Sequence, residues 1–76
     1  MEKKMIYSFK RNDTEEVRIS AGTYKEKEYV DIRIFYCDKT SGEWKPTKKG
    51  VTINRNLFGE FMEGLKRAEQ ELVVVE

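Results

Sequence analysis

The sequence predicts an α+β domain: four antiparallel strands followed by one C-terminal helix. Two patterns carry this expectation. Apolar residues alternate with period two in "EVRISAGTY" and "YVDIRIFYC", and the period lengthens to that of a helix after Asn54, in "NRNLFGEFMEGLKRAEQ". Length sets the scale, because 76 residues make one small domain, residues 1–76, with no material for a second core.

The first strand is expected in "MIYSFK", with "RNDTEE" as the loop behind it. In the second, Val17, Ile19 and Ala21 share one face, and Arg18, Ser20, Gly22 and Tyr24 the other, as in a strand with one solvated side. In the third, Val30, Ile32, Ile34 and Tyr36 oppose Tyr29, Asp31, Arg33, Phe35 and Cys37. Its second half is apolar on both faces, which suits a central or interface strand. The intervening "KEKE" is long enough only for a hairpin turn, so these two strands pair antiparallel. No glycine is present there, and the turn type stays open.

The polar, glycine-containing "DKTSGE" reads as a looser hairpin loop into "WKPTKKGVTI". Pro46 cannot donate a ladder hydrogen bond, which makes this an edge or bulged strand whose regular end is Val51 and Ile53. In the helix, Leu57, Phe58, Phe61, Met62, Leu65 and Ala68 form one stripe, and Asn54 or Asn56 can cap its start. Gly59 and Gly64 weaken it, which points to close approach of another backbone or to packing that holds it. The β-branched tail "ELVVVE" is expected to leave the helix.

Apolar and charged residues each make up 38% of the chain, a mix that leaves a thin core. Below roughly 80 residues a single core rarely suffices without disulfides, metal or a partner. Cys37 is the only cysteine and histidine is absent, so neither an intrachain bridge nor a structural zinc set can form. Oligomerisation remains. The N-terminus lacks a signal-type apolar run and no segment approaches the ~20 apolar residues of a membrane span. A soluble, cytoplasmic protein with no membrane partner is expected, and a lone reduced cysteine fits that compartment.

The composition argues against an enzyme and against a cofactor. There is no glycine-rich phosphate loop and no serine or cysteine nucleophile motif, and paired acids such as Glu15 and Glu16 read as solvated charge. Charge is segregated instead. The net charge is +1, yet residues 54–76 hold three basic and five acidic side chains, which leaves twelve basic and nine acidic in the strands and their loops. Lys45, Lys48 and Lys49 cluster without an intervening acid, and Lys25 and Lys27 lie at the tip of a neighbouring hairpin.

Aromatic residues accompany these cations: Tyr24 precedes Lys25, Trp44 precedes Lys45, and Tyr36 follows Arg33 by three positions. Cations neutralise phosphates, while flat rings stack on unpaired bases, a combination that favours single strands over a duplex. From composition alone, lysine-rich turns are more often solvated surface, and strand aromatics more often packing residues. Arg33 and Tyr36 also have opposite parity, so one groove can hold both only if a bulge or strong twist intervenes.

"YKEKEYVDIRIFYCD", then "GEWKPTKKGVTIN", then an amphipathic helix resembles the single-stranded-DNA-binding domain of the transcriptional coactivator family called positive cofactor four, over about residues 16–70. The most specific element is "DIR" in one strand with "KPTKKG" opening the next. The resemblance implies a curved sheet, a homodimer formed through the helix and sheet edge, and two ridges that bind single strands. It places the family's hairpin aromatic on Tyr24, its hairpin lysines on Lys25 and Lys27, and its strand arginine on Arg33. Its DNA-facing tryptophan falls on Tyr36, and the lysines around the proline motif on Lys45 and Lys49, with Lys48 between them. Phe35 and the stripe of Leu57, Phe58, Phe61, Met62 and Leu65 become core or dimer interface.

Three departures stand out. Glu26 replaces the family's usual glycine, Tyr36 offers less stacking area than tryptophan with Trp44 nearby to compensate, and the 38–43 loop is one residue longer. The serine- and lysine-rich region of the animal coactivators is absent, as in the minimal bacterial and phage forms. The expected function is weakly sequence-selective, non-enzymatic binding of single-stranded DNA in transcription regulation, replication or repair. A protein-interaction module of the same fold and a single-stranded RNA binder are the alternatives.

Overall fold

The computed structural model describes residues 2–72. Four strands, β1 (Glu2–Lys10), β2 (Glu15–Tyr24), β3 (Lys27–Cys37) and β4 (Trp44–Asn54), form one antiparallel sheet in the order β1-β2-β3-β4, and α1 (Arg55–Glu71) follows. The expected order of elements is the observed one. β1 begins at Glu2, earlier than its apolar stretch, because it pairs along most of β2; Ile6 is an extra residue between the pairs Met5↔Ser20 and Tyr7↔Ile19.

Each face follows from alternation and register. Val17, Ile19, Ala21, Val30, Ile32, Ile34, Val51 and Ile53 lie on one side, the helix face. The other, open face carries Arg18 and Ser20 of β2, Asp31, Arg33 and Phe35 of β3, and Trp44, Gly50 and Thr52 of β4. Only β4 interrupts the pairing within this part of the sheet. Arg33 is opposite Gly50 and Phe35 opposite Pro46, so the three residues Thr47–Lys49 face Ile34 alone.

Asn54 caps the helix, since its side-chain oxygen accepts the Leu57 N–H at 3.1 Å. Glu71 is its last residue and Leu72 is extended, as the β-branched tail suggests; residues 73–76 of that tail lie outside the described residues. Phe58 lies beside Ala21 and Val30, and Phe61 beside Ile53, so α1 covers only the end of the helix face nearest the β2–β3 hairpin.

No apolar side chain among the described residues is buried in the single chain; the two buried residues are Ser20 and Asp31. The molecule is a slab of 45 × 40 × 18 Å with a radius of gyration of 14.6 Å, against about 11 Å for a compact chain of this length. Its accessible surface is 6673 Å², where a compact monomer of this mass exposes roughly 4,900 Å². Leu57, Met62 and Leu65 are exposed, and with Ile53 and Phe61 the helix stripe borders an open apolar depression. No helix among the described residues is long and apolar enough to cross a membrane.

Candidate nucleic-acid interface

The β2–β3 hairpin closes on the pair Tyr24↔Lys27, leaving Lys25 and Glu26 as a two-residue turn. Both have positive φ, 51° and 65°. This is the combination that a type I′ turn requires and that Asn-Gly normally supplies. Lys25 Nζ lies 5.3 Å from the centre of the Tyr24 ring, so cation and ring project together at the tip.

A second projection is built by "KPTKKG" in β4. Pro46 opens it without a ladder donor. The Thr47 hydroxyl donates to the Ile34 carbonyl at 2.8 Å and accepts the Lys49 N–H at 3.1 Å, while Arg33 Nη1 donates to the Thr47 carbonyl at 3.0 Å. The extra residues are thus pinned at three points, and Lys48 and Lys49 stand exposed on the sheet edge.

Arg33 reaches the bulge from a polar network centred on the buried Asp31. Its Nε and Nη2 donate to Asp31 at 3.1 and 3.0 Å, and the same carboxylate accepts from Thr52 at 2.9 Å and Lys3 at 3.3 Å. Burial pushes the Asp31 carboxyl up, but the hydrogen bonds from Arg33 and Thr52 and the Lys3 charge outweigh it, so the group lies below its ordinary value of 3.8. The bond to Asp31 raises Arg33. Gly50 is required beneath this guanidinium, since a Cβ there would stand 2.9 Å from Arg33 Cζ and 2.8 Å from the Ile32 carbonyl oxygen.

The sequence-predicted residues divide between locations. Tyr24, Lys25 and Lys27 gather at the hairpin; Arg33 and Trp44 lie on the open face; Lys48 and Lys49 occupy the edge bulge, where Lys49 borders a depression floored by Val17, Ile32 and Ile34 and shared with Arg11. Tyr36 and Lys45 pair across β3 and β4 on the helix face. The bulge is in β4, while β3 pairs with β2 without interruption, so Arg33 and Tyr36 stay on opposite faces of one chain. Lys45 Nζ lies 2.7 Å from Asp38, whose carboxyl it holds below the ordinary range; that bond raises the lysine.

Lys25, Lys27, Lys48 and Lys49 have no carboxylate partner among the described residues, whereas Arg33 and Lys45 are paired. Of the sequence-predicted cations, these four ammonium groups are therefore the readiest to meet a polyanion. Sequence reasoning passed over Arg18, whose guanidinium lies 4.4 Å from the Phe35 ring centre and 5.9 Å from that of Trp44. It also passed over Asp31 as the organiser of the face. The signal for Asp31 was its i, i+2 spacing from Arg33, which puts both on one side of β3.

An open antiparallel sheet with a C-terminal helix, lysines at one hairpin and one edge bulge, and an aromatic ring beside the hairpin lysines defines a small α+β module with an accessible basic and aromatic surface. The chain belongs to the family described as transcriptional coactivator p15 (PC4), whose sequence profile matches residues 11–64. The RNA polymerase II transcriptional coactivator SUB1 of Saccharomyces cerevisiae is 33% identical over 45 residues; the match covers 59% of this chain, and only 15% of that protein's length. A PC4 homologue from Burkholderia pseudomallei superposes with a TM-score of 0.79 and 31% identity, covering 90% of this chain and 98% of that one. The bacteriophage T5 homologue of PC4, implicated in recombination-dependent DNA replication, aligns with a TM-score of 0.60 and 25% identity over 91% of this chain and 83% of its own.

Proposed function

We propose that this protein binds single-stranded DNA as a homodimer, without catalysis and with weak sequence selectivity, in transcription, replication or repair. The observation that carries this reading is that Lys25, Lys27, Lys48 and Lys49, without carboxylate partners among the described residues, stand on two fixed projections, the first beside the Tyr24 ring. Phosphates supply the counter-charge the lysines lack, and exposed rings reward bases that a duplex would keep stacked. The coactivator description of the family and the replication context of the phage relative agree with such a ligand.

A second copy supplies what the single chain lacks. The exposed helix stripe and the half-buried helix face are apolar surfaces of one molecule, and covering one with the other buries both. Pairing also brings two sets of hairpins and bulges into one particle, which unites basic residues that one chain keeps apart.

The test is a fluorescence-anisotropy titration over a salt series, with matched single-stranded DNA, duplex and single-stranded RNA. Four phosphate contacts predict a log–log slope of about −3 per chain, and preference for the single strand. Lys48→Ala with Lys49→Ala is expected to reduce the slope by about 1.4. A flat salt response, or equal affinity for duplex, refutes the reading; preference for the RNA strand redirects it.

A further inference from the structure

Arg18 is assigned no role by the motifs, yet its guanidinium is the one on the open face with an edge left to offer. It lies in β2 directly opposite Arg33 of β3. Like charges in this position repel, and each is offset by a carboxylate two residues back in its own strand, Glu16 at 2.6 Å from Arg18 and Asp31 at 3.0 Å from Arg33. The sheet therefore holds two half-buried arginines side by side, at the cost of an acid for each.

Their bonding differs. Arg33 engages Nε and Nη2 with Asp31 and Nη1 with the Thr47 carbonyl. Arg18 donates only through Nε, to Glu16, and its two Nη atoms have no acceptor among the described residues. No side-chain nitrogen among those residues is both buried and unbonded, so this edge meets solvent. The guanidinium carbon lies over the Phe35 ring, with Trp44 beside it. The ring contact and an anchored Nε restrict the orientation of the remaining fork, which matches two oxygens of a phosphate. Little side-chain freedom is left to lose on binding.

We infer that Arg18 is a phosphate-binding residue of the open face: its Nη edge takes a phosphodiester of the unpaired strand beside Trp44. The inference rests on the single-stranded-DNA reading above. Glu16 keeps the guanidinium in place and at the same time weakens its pull on the phosphate.

Three variants of the full chain test it: Arg18→Gln, Arg18→Lys and Glu16→Gln, each titrated with oligodeoxythymidylate across a salt series, with circular dichroism to verify the fold. Arg18→Gln is expected to weaken binding about tenfold and to make the log–log slope shallower by about 0.7. Arg18→Lys keeps the charge and hence the slope, but binds several-fold more weakly because it lacks the fork. Glu16→Gln retains an acceptor for Nε, removes the competing charge, and binds about two- to threefold more tightly.

Wild-type affinity and slope in Arg18→Gln overturn the inference, as does unchanged or weaker binding by Glu16→Gln. If Arg18→Gln does not fold, the other two variants decide, and wild-type affinity in Arg18→Lys counts against the fork. A wild-type chain that ignores the strand overturns the parent reading. A chain that binds, and depends on Lys48 and Lys49 but not on Arg18, overturns this inference alone.

Discussion

Asp31 grips Arg33 through two of its nitrogens, Nε at 3.1 Å and Nη2 at 3.0 Å, within a single strand. Residues two apart on a strand share a face but are normally extended away from the sheet. Here the carboxylate is 3% exposed and the arginine lies across Gly50 to reach the β4 bulge, so the most buried point among the described residues is ionic. That charged centre ties β1, β3 and β4 together through Lys3, Arg33 and Thr52.

Asp31→Asn is therefore expected to destabilise the protein by about 2 kcal/mol, the scale for unpairing a partly buried charge. The pH dependence has a definite sign. The folded carboxyl titrates below its ordinary value of 3.8, so its contribution is full above that value and fades as pH falls through the lower, folded one. Urea unfolding of both proteins checks this. The stability gap should be constant from about pH 7 to 5 and shrink toward pH 2; a gap that widens in acid contradicts it.

Gly50→Ala tests the path of the arginine. The new Cβ would lie 2.8 Å from the Ile32 carbonyl oxygen and 3.0 Å from Arg33 Cα, both backbone atoms that cannot swing aside. A loss of about 1–3 kcal/mol is expected. Because the obstruction is largely backbone, the penalty should persist in an Arg33→Ala background. Full rescue there would show that the guanidinium alone was in the way.

The strand order was legible because the alternation in 17–21 and 30–36 is regular and the period changes after Asn54. Pro46 announced the bulge, but its two extra residues are fixed by the Thr47 hydroxyl and Arg33, contacts made only once β3 lies alongside. The division of Arg33 and Tyr36 between faces followed from parity. That the bulge would not reunite them depended on which strand carried it. Arg18 belongs to no motif; its neighbours Phe35 and Trp44 become neighbours only through the register of three strands. The apolar stripe was legible as a surface to be covered, and the single chain leaves it exposed.

Glu26→Gly addresses the hairpin. Glu26 holds φ at 65°, which costs a non-glycine residue of order 1 kcal/mol, although glycine's greater freedom in the unfolded chain offsets part of the gain. The substitution also removes a negative charge between Lys25 and Lys27. A net stabilisation of up to about 1 kcal/mol and tighter single-strand binding, by about two- to fivefold at low salt, are expected. Glu26→Gln separates the effects: thermal melting should stay near wild type while affinity rises. If affinity rises only with glycine, turn geometry and not charge limits the hairpin.

Leu57, Phe61 and Leu65 border the apolar depression with Ile53, and a carboxylate placed among them would lose its water only where a partner seats. In an isolated chain Leu57→Asp or Phe61→Asp alters a surface that water already reaches. In a dimer it puts a charge in the interface. Sedimentation equilibrium should therefore give a two-chain mass for the wild type and a one-chain mass for Leu57→Asp. The wild-type thermal midpoint should rise with protein concentration, because folding and association are linked. A wild type that sediments as one chain, with a midpoint independent of concentration, would remove the homodimer and leave the exposed stripe as a surface for a different partner.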